Sequence, residues 1–338
     1  MLDDTVRELR HLLSPADPAA GGAGVPGAGT RTAGLLRILA TPAVTEAAHT
    51  RRRPVRRRWF LAGAGAVAAS VVTAGVVLVA FDPVATPAYA ATPAPLTYFP
   101  AGDPGPAALE RIAVAAQAGT ATPAGPEHLV VESWSLHGQV DGERVTSAVV
   151  PVVREVWRAA DGSGRVVERY GAPVFRSEDG RRAWQQQGSP GADGKPRETV
   201  FPAGGFPGMW TDRPPAEAAA LATWLQTGHP AGNGPMETLV AITDLARERV
   251  LSPAERAAVV RVLAGVPGIA STGAVTDRAG RHGAAFSVVS DRSGLPTRYT
   301  LILDPADGRL LGYEQSLTTE AGKLDVIAPA VIGYEIYR

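Results

Sequence analysis

From Trp59 to Phe81 the chain runs for twenty-three residues without a charge, as WFLAGAGAVAASVVTAGVVLVAF. As a helix this stretch reaches roughly 35 Å, against a bilayer hydrocarbon core of about 30 Å. Immediately before it stand six arginines within eight residues, Arg51, Arg52, Arg53, Arg56, Arg57 and Arg58, and Asp82 and Pro83 follow it. Basic residues stay on the cytoplasmic side, so the arginines set the orientation, with the N-terminus inside and the C-terminus outside. The reading is a cell-membrane protein with a single transmembrane helix over 59–81, and the lipid bilayer is its first partner. Gly65, Ala69 and Thr73 recur every four residues and offer a small-residue stripe for a homodimer through that helix. A rival reading is export. Arg57-Arg58-Trp59-Phe60-Leu61 matches the core of a twin-arginine signal, and Ala88-Tyr89-Ala90 a cleavage site that would release a secreted form after Ala90. The apolar run exceeds the roughly 7–15 residues of a signal peptide, which favours retention.

The net charge of zero hides an asymmetry around this segment. Residues 1–58 carry ten Arg against five acidic groups, while residues 82–338 hold 23 basic and 28 acidic ones. A head of +5 and a body of −5 do not make a nucleic-acid binder, and no nucleic-acid partner is expected. The absence of cysteine excludes disulfide scaffolds, thiolate metal sites and cysteine nucleophiles.

The cytoplasmic head, 1–58, reads as short helices and flexible linker. Leu2, Val6, Leu9 and Leu13 fall at helical spacing, and Thr32 to Leu39 can form a second short helix. Between them lies a Pro/Gly/Ala-rich stretch containing Gly22-x-Gly24-x-x-Gly27. No strand precedes this pattern and Pro26 sits inside it, so it is linker rather than a dinucleotide site. A Pro/Ala-rich tether over 82–105 leads to an extracytoplasmic domain over 106–338.

That outer domain reads as α+β, an antiparallel sheet with helices packed on one side. A helix over 106–118 has Leu109, Ile112 and Val114 to bury. Strands are expected at 128–140, 145–158, 165–170, 173–177 and 182–187, joined as a meander by the turns Asp141-Gly142, Asp161 to Gly164 and Asp179-Gly180. Residues 188–215 form a long irregular loop, followed by three helices. The first starts at Pro214 or Pro215 and presents Leu221, Trp224 and Leu225; the second carries Leu239, Ile242, Leu245, Ala246 and Val250. The third opens on the capping box Ser252-Pro253-Ala254-Glu255 and ends at Pro267-Gly268. Strands resume at 269–276, 283–290, 297–304, 309–318 and 331–337, with glycine-closed turns at Asp277–Gly280, Asp291–Gly294 and Asp304–Gly308.

Chemistry-bearing patterns are scarce. There is no HExxH, GxSxG, P-loop or EF-hand. His128 and His137 lie nine apart in one strand, on opposite faces, and cannot share a metal. His229 and His282 sit in Gly-rich turns and read as solvated, and Glu132, Glu155 and Glu168 as hydrated surface carboxylates. Catalytic, cofactor-binding and metal-ligating residues are therefore none, and no enzyme activity is inferred. Trp134, Trp157 and Trp184 fall in the first group of strands, where they can line an apolar groove or fill the core.

The body carries specific stretches: Thr211-Asp212-Arg213-Pro214 leading to Trp224-Leu225, Ile242-Thr243-Asp244-Leu245, Val266-Pro267-Gly268, Thr276 to Gly283, and Leu301-Ile302-Leu303-Asp304-Pro305 closing on Leu310-Leu311-Gly312. In these, and in its layout, the chain resembles a family of uncharacterised single-pass membrane proteins of actinomycetes, known by a locus-tag family name. The resemblance implies a cell-envelope protein and supplies no site residue. The layout also looks like that of membrane-anchored anti-sigma factors, although the head lacks their His-x-x-x-Cys-x-x-Cys and its linker leaves few residues to wrap a sigma factor. The expected function is an outer domain that binds an unknown envelope protein or an apolar ligand; the alternative is an anti-sigma-like regulator acting through the head.

Overall fold

The computed structural model describes residues 92–338 apart from 101–104, 121–124, 142–143, 176–177, 187–192 and 322–325. The head, the apolar run 59–81 and the Ala88-Tyr89-Ala90 site lie outside the described residues. Among the described residues no helix is long and apolar enough to cross a membrane.

The fold is α+β, a large antiparallel sheet with helices packed against it. Eleven strands are described: β1 (Tyr98–Phe99), β2 (Glu127–Asp141), β3 (Arg144–Arg158), β4 (Gly164–Tyr170), β5 (Val174–Phe175), β6 (Arg197–Phe201), β7 (Ala270–Thr276), β8 (His282–Ser290), β9 (Thr297–Leu303), β10 (Leu310–Leu317) and β11 (Ala330–Tyr337). Five α-helices accompany them: α1 (Gly105–Gln117), α2 (Glu178–Gln186), α3 (Ala218–Leu225), α4 (Met236–Glu248) and α5 (Pro253–Ala264). The strand order is β1-β7-β8-β9-β10-β11-β2-β3-β4-β6, with β5 on β3. The two groups of strands in the sequence thus belong to one sheet, joined where β11 pairs with β2.

The second group of strands follows its turn chemistry. Gly280, Gly294 and Gly308 all take positive φ, where a glycine has no Cβ to clash, and each closes the expected hairpin. The Ser252 side chain accepts from the Glu255 N–H and the Glu255 carboxylate accepts from the Ser252 N–H, so the capping box opens α5 at Pro253 as expected. Phe286, Val288, Tyr299, Leu301, Leu303, Tyr313, Tyr337 and Val131 pack with the buried residues of α1, α3, α4 and α5 into the main core.

Four expectations are corrected. Where a strand is expected over 182–187, residues 182–186 belong to α2, and Asp179-Gly180 lies within its first turn. Glu178 and Asp179 favour a helix start and pair with Arg181 and Arg182 three residues on, while Trp184 anchors the helix on Ala148 and Val150 of β3. Residues 188–215 are not all loop, because β6 pairs with β4 there as an edge strand. In α1 the buried stripe is Leu109, Ile112, Ala113 and Ala116; Val114 falls on the far side of the helix and is exposed. The end of the stretch read as tether joins the sheet as β1. It reaches β7 at Gly273, where a Cβ would collide with the Phe99 carbonyl.

Candidate functional site

The three helices after β6 are placed by local rules. Glu217 caps α3, accepting from the N–H groups of Ala219 and Ala220 at 2.9 and 2.7 Å. Leu221 and Leu225 turn inward, and the chain leaves through Gly228, whose positive φ permits the reversal into His229 and Pro230. A short 3-10 turn (Ala231–Asn233) leads into α4. Glu237 and Asp244 are seven residues apart on α4, two turns along the same face.

This arrangement encloses His229. It is 3% exposed, with Glu237 at 1% and Asp244 at 4%. His229 Nδ1 lies 2.8 Å from Glu237 Oε1, and Nε2 lies 3.4 Å from Asp244 Oδ2. Trp210 stacks on the imidazole with ring centres 5.8 Å apart and on Trp224 at 4.8 Å. The Trp210 indole N–H donates to the Trp224 carbonyl at 3.2 Å. Burial opposes a charge on His229, but the nearby Asp244 carboxylate and the hydrogen-bonded Glu237 carboxylate outweigh it and push the imidazole up to about 9. The two carboxylates thus favour the protonated form of His229. The expectation that it is solvated is corrected: its sequence neighbours are turn residues, and the closure comes from Trp210 and α4.

The network continues beneath α4. Asp244 also pairs with Arg247, whose guanidinium meets the Glu335 carboxylate through two nitrogens, Nε donating at 2.9 Å. Tyr337 donates its hydroxyl to Glu335 at 2.6 Å, and Arg154 donates to the Arg247 carbonyl at 3.3 Å. Burial opposes the Arg247 charge; Glu335 and Asp244 outweigh it and hold the guanidinium above its ordinary range. Glu248 accepts from the Met209 N–H at 3.1 Å, and burial raises its carboxyl.

A cavity of about 340 Å³ opens between α3, α4 and α5. Its walls are apolar, from Ala218, Ala222, Leu225, Ala241, Val262 and Val266; His229, Glu237, Thr238, Gln226 and Arg261 supply its polar groups. Arg261 is engaged on its outer side by Glu110 and Gln117. Glu237 Oε2 is buried and has no hydrogen-bond partner among the described residues.

The structure does not bring the three predicted tryptophans together. In the β2–β3 register Trp134 opposes Pro151 and His128 opposes Trp157, which places Trp134 and Trp157 on one face, separated by six residues, or about 20 Å, along β2. Trp134 stacks on Tyr334 at 5.7 Å; Trp157 stacks on His128 at 4.9 Å, with the Arg165 guanidinium 3.9 Å from its ring. Trp184 is fully buried and meets the opposite face, where His137 edges against it at 6.4 Å. The two histidines of β2 thus lie on opposite faces. Glu132 and Glu155 are tied to Arg338 and Arg169, and Glu168 accepts from Tyr170 at 2.8 Å. The six arginines 51–53 and 56–58 lie outside the described residues. Among the described residues no group of three or more His, Asp or Glu is placed to hold a metal ion.

Sequence reasoning missed His229, Glu237, Asp244 and Trp210. A signal was present: two carboxylates seven apart on the buried face of an otherwise apolar helix need a cation, and a histidine stands just upstream. Compared with models of known families, with curated proteins and with solved structures, the chain matches none.

Proposed function

We propose that this is a cell-membrane protein, anchored by residues 59–81, whose outer α+β domain binds a small molecule between α3, α4 and α5 without acting chemically on it. The cavity carries the reading. At about 340 Å³ it falls in the range of ligand sites, and it combines apolar walls with a few fixed polar groups. The state of His229 favours binding over catalysis. A general base needs a free lone pair near neutral pH, and this imidazole is buried with a carboxylate beside each ring nitrogen, which favours its protonated form. The full chain, purified from its producing cells and denatured, is expected to release a small molecule detectable by mass spectrometry, and the cavity-filling variant Ala222→Phe to release none. Identical releases from both proteins would defeat the reading.

The anchoring part of the proposal rests on the arginine block and the uncharged run behind it. A reporter fused after Arg338 should be active only outside the cytoplasm, and one fused before Arg51 only inside. Substituting Arg51, Arg52, Arg53, Arg56, Arg57 and Arg58 together should scramble this orientation, because no other basic cluster flanks the apolar run. Activity of both fusions on one side of the membrane would overturn the assignment.

A further inference from the structure

Resting on the reading of this cavity as a binding site, we propose that its ligand is a protonated amine on a compact apolar body, with Glu237 Oε2 accepting the ammonium N–H. Three observations converge. The first is Glu237 itself. Its carboxylate lies at the cavity, 1% exposed; one oxygen is committed to His229 Nδ1, and the other is buried with no partner among the described residues. A buried carboxylate oxygen without a donor is costly, and a charged donor relieves that cost more than a neutral one.

The second observation is the local charge balance. His229, Glu237, Asp244, Arg247 and Glu335 form one connected buried chain. It holds two cations and three anions, so one negative charge is left uncompensated. His229 does not neutralise Glu237 alone, because it is shared with Asp244, and Arg247 is shared between Asp244 and Glu335. Arg154, the next cation, faces Glu168 at 3.9 Å. Arg261, across the cavity, is answered by Glu110 at 3.2 Å. A single positive charge arriving at Glu237 offsets that excess.

The third observation is the shape. Alanines and valines line the cavity, and about 340 Å³ is the volume of roughly ten waters, enough for a ring or a short branched chain but not for a long acyl tail. The site does not suit a bare divalent cation, which takes several oxygen ligands where this cavity offers one carboxylate.

The test uses the purified full chain and three probes of nearly one shape: benzylammonium, benzyl alcohol and benzoate. Calorimetry, with the fluorescence of Trp210 and Trp224 as a second readout, should show saturable binding of benzylammonium, at least tenfold weaker binding of benzyl alcohol, and weaker binding still of benzoate. Glu237→Gln keeps the volume and removes the charge; it should weaken benzylammonium at least tenfold and leave benzyl alcohol unchanged. Should Glu237→Gln fail to fold, Ala222→Phe gives the second arm and should abolish binding of benzylammonium. Benzyl alcohol or benzoate binding as tightly as the amine overturns the ligand class and leaves the cavity as a binding site. Benzylammonium binding unaltered in Ala222→Phe overturns the location. If no probe binds, the amine assignment fails; the binding reading fails with it only where wild type and Ala222→Phe also release the same molecules from cells.

Discussion

Arg247→Ala is expected to lower the unfolding free energy by about 3–5 kcal/mol, the cost of leaving buried charges without their partner. Arg247 is the joint of the network. It holds Asp244 on its own helix and Glu335 on β11, and both carboxylates are nearly inaccessible to water. Removing it leaves Glu335 with the Tyr337 hydroxyl in place of a cation, and Asp244 with only the His229 it already shares with Glu237. Equilibrium urea unfolding followed by tryptophan fluorescence measures the loss. Arg309→Ala is the control, since its pairs with Asp304 and Asp307 are exposed and worth at most about 1 kcal/mol. Adding Asp244→Leu and Glu335→Leu to Arg247→Met should recover most of the stability, because a well-packed apolar set often equals a buried ion network. A loss below about 1 kcal/mol for Arg247→Ala would show that the carboxylates find water or protons, and that α4 is not held by this joint.

The parts of the fold that could be read from sequence are those decided within a few residues. β7 to β10 announce themselves because each hairpin between them carries an Asp at its start and a glycine where φ must be positive, and α5 because Ser252 and Glu255 complete each other three residues apart. What failed was decided at a distance. α2 looks like a strand beside a turn, since Trp184 and the Asp-Gly pair both suit one; it is a helix because its indole finds Ala148 and Val150 on β3 and its charges pair at helical spacing. β6, Arg-Glu-Thr-Val-Phe, has no in–out alternation and only one neighbour, and the Gly- and Pro-rich residues around it hide so short an edge. The site was the least legible part. His229 sits among residues that spell a turn, and its burial depends on Trp210, nineteen positions upstream, stacking over it and on α4 presenting two acids. The local sequence sets the reversal at Gly228; the long-range packing sets the chemistry.

The stability of the chain should fall as pH rises from about 6.5 to about 9, through the titration of His229. The sign follows from where the proton is held more tightly. The folded protein raises this imidazole above its ordinary value, so protonation stabilises the folded state. The contribution is complete below the unfolded value near 6.5, declines above it and is gone once pH has passed about 9. At about 1.4 kcal/mol for each pH unit in that window, the loss comes to about 3 kcal/mol. The groups facing the imidazole are Glu237 and Asp244, both from α4, and the Trp210 ring. His229→Asn should be less stable than wild type at pH 6 and should show a much flatter profile up to pH 9, the difference between the two curves isolating this residue from others that titrate in the range. Parallel profiles would mean that the imidazole is neutral between its two carboxylates, which would also return it to the list of possible bases and remove the physical ground for reading the site as one that binds without catalysing.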